Sequence, residues 1–499
     1  MRKWLAPVLV VAVAALTRFW NLGYPHSLVY DENFYVKDAY TMLRLGYAGS
    51  WPKGADAKFD AGHYNIFSAT AEKVSHPPLG KWIISLGIRT LGVQNAASWR
   101  VMDAIAGVLA VVLLIAIATK LFHSLPFGTI AGGLFAIDGS AIVMSRVGML
   151  DNFVMLFALA GFGAILLDRD WATRRLDRWL ERRRADGRNL RWGPSLWWRP
   201  WMIAAGIGFG LSGAVKWNGF IFAFAYALYS LIVEIRARKQ AGIELWHIGT
   251  ILKQGPATFV LTVVSAFVVY MLTGLGWFIT SGGLFRHWAD ERGHAFTGFF
   301  AWIPHTLQSY LHLQEYELSF GVSFDAKGPY TSPASDWLFM IRPISMFSNY
   351  FAKGQDGCDS VSCTTTINAV SNPLIWYGAV VALFVLLFMV FFRRNWRAAF
   401  ILVGVAAGYL PWVILPRPTV FQYYTIAFEP MMILALVMVL QLAWMGRTWT
   451  VRRRKVARIA VVVFLVASVL LSIYFLPLWI ALQEPSTFIT SHYWLPSWG

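Results

Sequence analysis

Charged residues are scarce in this 499-residue chain: Asp, Glu, Lys and Arg make up 14% of it, while 57% is hydrophobic. A chain this long and this poor in charge does not fold as one soluble core. Cysteine is nearly absent. Cys358 and Cys363 stand close together in a late loop, which permits one small disulfide clip and no disulfide framework. Acids are outnumbered, 26 against 43 Lys and Arg. No His and acid cluster has metal-ligand spacing, so the expected metal and cofactor complement is none, with a divalent ion on Asp31 and Glu32 as the alternative. No internal repeat of the kind many transporters carry is found.

What is abundant is long apolar sequence. Runs able to span a bilayer lie near Trp4 to Phe19, Val101 to Thr119, Phe127 to Met144, Phe153 to Leu167, Trp201 to Val215, Gly219 to Val233 and Pro256 to Ile279. Four more follow near Leu374 to Phe392, Ala398 to Leu415, Thr425 to Trp444 and Ile459 to Leu482. The expectation is an all-α polytopic membrane protein with about eleven transmembrane helices. Arg2-Lys3, Arg169 to Arg199, Arg236 to Lys253, Arg393 to Arg397 and Arg447 to Arg458 then share one side. By the positive-inside rule that side and the N-terminus are cytoplasmic, and the C-terminus is outside. The same pattern explains the net charge of +17 without nucleic acid. Arg169 to Arg199 reads as an Arg/Trp interfacial helix on anionic lipid. Residues 1–280 form a seven-span module, 281–372 a second outer loop with interfacial helices at Phe285 to Phe296 and Pro304 to Leu318, and 373–499 a four-span module.

Polar residues worth chemistry collect on the outer side. Asp31 and Glu32 follow the first span directly, where Asp31 either caps a helix from Glu32 to Leu45 or serves as a reaction centre. His76-Pro77-Pro78-Leu79-Gly80-Lys81 starts a helix that places Lys81 at phosphate depth. Arg100 and Arg146 lie outside against the charge bias, so each needs an acid such as Asp103 or Asp151, or an anionic ligand. Asp138 within the third span is functional or pairs with Arg146. Tyr330, Asp336-Trp337 and Arg342-Pro343 suit a carbohydrate groove. Arg417, Gln422, Tyr423, Tyr424 and Glu429 enter a late span and should face protein or a cavity.

Taken in order, Asp31-Glu32, His76 to Lys81, Arg100, Met149-Leu150-Asp151-Asn152, Arg342-Pro343 and Phe421-Gln422-Tyr423-Tyr424 resemble the protein O-mannosyltransferase family, polytopic glycosyltransferases of the GT-C class. The resemblance covers essentially the whole chain. Eukaryotic members insert a β-trefoil-type domain in the late loop, and this loop is too short for one, which suggests a bacterial member. Family members often carry His before the Pro-Tyr of that loop, where this chain has Gly328.

The resemblance implies a polyprenyl-phosphate mannose donor, Ser or Thr acceptors on exported polypeptides, and a single inverting displacement at the plasma membrane. Asp31 is then the expected base, with Glu32 orienting it or exchanging roles. His76, Lys81, Arg100, Arg417, Gln422 and Tyr423 are candidates for the donor phosphate and lipid. Asp151, Arg146, Tyr330, Arg342 and Tyr424 are candidates for the sugar or acceptor. Membrane lipids are further partners, and coupling to the export machinery is an added expectation. Alternatives are a related transferase acting on a lipid or glycan, or a transporter or flippase.

Overall fold

In hydrocarbon each backbone N–H and C=O must find its partner within the segment, so the apolar runs become helices. The computed structural model describes residues 2–73, 76–323, 325, 328, 330–415, 417–446 and 449–499. Among the described residues, seven helices are long and apolar enough to cross a membrane: Ala96–Phe122, Asp151–Ala185, Gly219–Gln240, Trp246–Thr273, Pro373–Arg393, Trp396–Ile414 and Val451–Trp479. Leu5–Phe19, Leu125–Ile137, Pro200–Val215 and Glu429–Met445 are shorter apolar helices beside them. The chain is a multi-pass membrane protein with a helical core.

Burial ranks the helices. The most apolar 18 residues of Asp151–Ala185 are 78% buried, against 22% for Val451–Trp479, so the first is central and the second faces lipid. Small residues let the central helix approach Pro200–Val215. A Cβ on Gly208 would lie 2.8 Å from the backbone nitrogen of Gly161, so any larger residue there pushes the two helices apart.

Several expectations need correction. The run from Phe127 to Met144 breaks at Asp138, whose Oδ1 accepts from Ser140 N at 3.0 Å to cap a second short helix, Gly139–Met144. Its Oδ2 accepts from Asn372 N at 3.0 Å, so Asp138 joins this short helix to the start of Pro373–Arg393 and does not pair with Arg146. The expected interfacial helix at Arg169 is a continuation of the span to Ala185, because no breaker intervenes. Phe285 to Phe296 holds only a 3₁₀ turn, Trp288–Asp290. Two of its N–H groups go to another helix: Ala289 N donates to Ser309 and Phe296 N to Gln308, both in His305–Ser323.

The fold also has a small sheet that the all-α reading lacks. β1 (Ser345–Ala352) and β2 (Ser362–Asn368) form an antiparallel hairpin, and β3 (Gln483–Pro485) pairs with the other edge of β2. Cys358 and Cys363 form the expected disulfide at its tip.

Candidate active site

Tyr30, φ 51°, turns the chain in the left-handed region immediately before Asp31, a conformation that a bulky residue adopts only when its surroundings enforce it. Those surroundings are aromatic: the Tyr30 ring meets Phe421 and Tyr423 edge-on at 6.1 and 5.9 Å. The turn sends two adjacent acids in different directions. Asp31 occupies the cap position of Glu32–Leu45 without a side-chain capping bond. Its Oδ2 instead accepts from the Tyr423 hydroxyl at 3.2 Å and, at a long 3.5 Å, from Tyr35. Burial pushes its carboxyl up to about 6; the Lys216 charge opposes this and Asp151 adds to it.

Glu32 is fully buried and spent. Arg100 grips it with Nε at 2.7 Å and Nη2 at 2.8 Å, and Val29 N and Gly148 N each donate at 2.8 Å. Gly148 must be glycine for this approach, since a Cβ would fall 2.9 Å from the Trp99 carbonyl. Arg100 also donates to the carbonyls of Leu22, Pro25 and Ser27. It therefore staples the loop that carries Asp31 and does not face a donor phosphate. Arg146 is internal as well, donating Nη1 to the carbonyls of Thr17, Arg18 and Trp20 at the end of the first helix. With the Glu32 oxygens committed to four N–H donors, the acidic pair offers no shared chelate. Among the described residues, no group of three His, Cys, Asp or Glu has metal-site geometry.

Lys216 and Asp151, whose charges act on Asp31, belong to the wall of a small cavity that also includes His76, Glu317, Arg417 and Tyr424. Lys216 bonds Asp151 at 2.6 Å and sits 5.1 Å from the Tyr424 ring. Arg417 stacks 5.1 Å from Trp412. Burial, with the Lys216, Lys81 and Arg417 charges, holds His76 well below the usual imidazole range, so it is neutral. His76 and Glu317 also line a second small cavity, with Lys81. Lys81 is buried and paired with Asp38 at 3.0 Å, so it is not a lysine reaching for lipid headgroups. Burial pushes the Glu317 carboxyl up to about 7 against the Lys81 charge.

An apolar groove of about 950 Å³ between Gly219–Gln240 and Trp246–Thr273 adjoins both cavities, sharing Trp217 with the wall of the first and Tyr270, Tyr310 and Gln314 with that of the second. The expected stripe Leu307, Tyr310, Leu311 and Gln314 lines it. Two π turns, Thr250–Gln254 and Val260–Val264, interrupt the helix on its far wall.

The structure thus brings Asp31, His76, Asp151, Arg417, Tyr423 and Tyr424 to one place, and Lys81 to the adjoining cavity. Gln422 is buried behind them. Tyr330 is half-buried and Arg342 exposed, and neither lines these cavities. Pro329, Pro416 and Arg447 lie outside the described residues. Two residues of these cavities were not among the sequence candidates: Lys216, and Glu317 within the expected interfacial helix Pro304 to Leu318. A lone lysine between two apolar runs was the available signal.

A carboxylate held by phenols, near a cavity walled by Lys216, Arg417, Asp151 and Glu317 and adjoining an apolar groove, agrees with a membrane-embedded fold of the GT-C glycosyltransferase class. The fold agrees: the *S. cerevisiae* protein O-mannosyltransferase Pmt1-Pmt2 complex bound to the sugar donor superposes with a TM-score of 0.72 at 13% identity, over 100% of this chain and 93% of that one. The chain belongs to the dolichyl-phosphate-mannose-protein mannosyltransferase family, whose model matches residues 8–280, with the C-terminal four-transmembrane region of protein-O-mannosyltransferase matching 306–498. A polyprenol-phosphate-mannose–protein mannosyltransferase of Mycolicibacterium smegmatis is 30% identical over 99% of this chain and 93% of its own length. One from Corynebacterium glutamicum is 29% identical over 98% and 92%.

Proposed function

We propose that the chain moves mannose from polyprenyl-phosphate mannose to Ser or Thr hydroxyls of exported proteins, at the outer face of the plasma membrane. The observation that carries this reading is the half-buried Asp31 carboxylate near the cavity that holds Lys216 and Arg417 and adjoins the apolar groove at Trp217. The relatives' names support the donor and the protein acceptor, and the basic stretches at the opposite helix ends support the orientation.

The polyprenyl chain lies in the groove, which excludes water from its apolar wall, and the phosphate emerges at Trp217 into the cavity. A hydroxyl is a weak nucleophile until its proton has somewhere to go. Asp31, raised to about 6, is ionised at neutral pH yet more basic than an ordinary aspartate. It takes the acceptor proton as the acceptor oxygen bonds to the anomeric carbon and the bond from that carbon to the phosphate oxygen breaks on the opposite face, which inverts the centre. The departing polyprenyl phosphate needs charge stabilisation and no proton. Arg417 supplies it, with Lys216 held ready by Asp151. Neutral His76 and the half-titrated Glu317 offer hydrogen bonds to sugar hydroxyls. No step calls on a resident cofactor.

The test supplies membranes containing wild type or Asp31→Asn with labelled mannosyl-phosphoryl polyprenol and a Thr/Pro-rich peptide. Label on the peptide from wild type alone supports the reading. Label on lipid or glycan makes the chain a transferase with another acceptor, and equal labelling by both removes Asp31 from the chemistry.

A further inference from the structure

A third, smaller cavity, partly polar in its lining, lies at the other end of the same helices, outside everything the transfer reaction uses. Its wall includes Asp168 and Arg169 of Asp151–Ala185, Arg199, and Tyr229, Glu234 and Arg238 of Gly219–Gln240. Asp168 lies 17 residues beyond Asp151, which at helical rise is about 26 Å from the catalytic end.

Three guanidinium groups face two carboxylates here, and one arginine takes most of the acid. Arg199 donates Nε to Asp168 Oδ1 at 3.2 Å, Nη2 to Asp168 Oδ2 and Nη1 to Glu234 Oε1. Arg238 is left with Nη2 on the Pro194 carbonyl at 2.7 Å and two long contacts of 3.4 Å, to Glu234 and Gln254. It is 1% exposed, yet its Nη1 has no partner among the described residues. Arg169 lies flat on the Trp396 ring at 3.4 Å, and its Nε is likewise buried and unpartnered, as is the Tyr229 hydroxyl. The neighbouring Asp170 is engaged by Lys120 at 2.5 Å. A buried guanidinium with unmet donors is unfavourable unless an anion completes it.

We propose that this cavity binds a phosphate group. Arg169 and Arg238 supply planar donors suited to phosphate oxygens, and Tyr229 adds a hydroxyl. Apolar Ile165, Leu176 and Val233 in the same wall give a lipid chain somewhere to lie, and the cavity stands where the helices meet the basic segment Arg174 to Arg184. The phosphate therefore comes from an anionic phospholipid headgroup or from free phosphate, by the same chemistry. Its effect is structural: it ties the far ends of the two helices whose other ends carry Asp151 and Lys216.

Thermal unfolding of the purified full-length protein tests this in two arms. One compares nanodiscs of phosphatidylcholine with nanodiscs that also contain phosphatidylglycerol. The other adds inorganic phosphate to detergent-solubilised protein at constant ionic strength. Binding to the folded state alone raises the unfolding midpoint with ligand concentration. The expected result is a rise with phosphatidylglycerol in wild type, weakened about tenfold in apparent affinity by Arg169→Gln or Arg238→Gln, since each removes a charge-assisted donor. Arg169→Gln removes a half-buried side chain and keeps the test open if Arg238→Gln misfolds. A rise with inorganic phosphate alone assigns the site to the free anion. No rise in either arm, or a rise that Arg169→Gln leaves unchanged, overturns the proposal. Mannosyl transfer by Arg169→Gln stays at the wild-type level, which separates this site from the catalytic reading.

Discussion

Asp31 and Glu32 are neighbours in sequence and opposites in structure. Glu32 faces inward, fully buried, and its two oxygens accept four N–H bonds, two of them from Arg100. Asp31 lies within reach of the Lys216 and Asp151 charges, is only half-buried and is held by two phenols. A carboxylate whose lone pairs are all committed is an anchor, whereas one left raised and loosely held can accept a proton. The left-handed turn at Tyr30 separates the two roles, and the anchor fixes the aim of the base.

The comparison can be broken from either side. The largest effect on stability belongs to the anchor: Arg100→Met leaves Glu32 buried without its cation and should cost about 3–5 kcal/mol. Thermal unfolding in detergent measures this, with Asp31→Asn as the reference that keeps its midpoint. Next, Arg417→Ala removes a guanidinium from the cavity wall and should raise the donor KM about tenfold. Lys81→Ala, already neutralised by Asp38, should raise it less, as donor titration will show. Smaller again is a shift in pH dependence. Asp31 must be ionised to act, so transfer is present above about pH 6 and is lost as pH falls through that value. The Tyr423 hydroxyl favours the carboxylate, so Tyr423→Phe raises the Asp31 pKa and moves the acid limb of kcat/KM to higher pH. An unmoved limb would assign it to another group. Least affected is Cys358→Ser, which opens a disulfide spanning five positions at the hairpin tip. It should speed proteolysis of that hairpin and leave transfer unchanged.

The helices were legible because a membrane span declares itself by length and apolarity, and all eleven runs fall on apolar helices. The acidic pair was legible as a place but not as a division of labour. Arg100 and Glu32 stand 68 residues apart, so their pairing depends on how Ala96–Phe122 packs against the loop, which no local pattern encodes. The same holds for Arg146, whose partners are carbonyls of the first helix. The hairpin escaped because its strands carry Ser, Thr and Asn in place of a clean alternation. Lys216 escaped because a lone lysine between two apolar runs is a weak signal that names no partner. Its importance comes from Asp151, which the fold brings to it.

The most direct test of this division is a single-turnover transfer assay on Asp31→Asn and Glu32→Gln, each normalised to folded protein. The expected result is a loss of about 10²–10⁴-fold for Asp31→Asn at an unchanged unfolding midpoint. Glu32→Gln should retain transfer within about tenfold per folded molecule while unfolding at a lower temperature. Full activity in Asp31→Asn, or complete loss in a stably folded Glu32→Gln, would contradict the account.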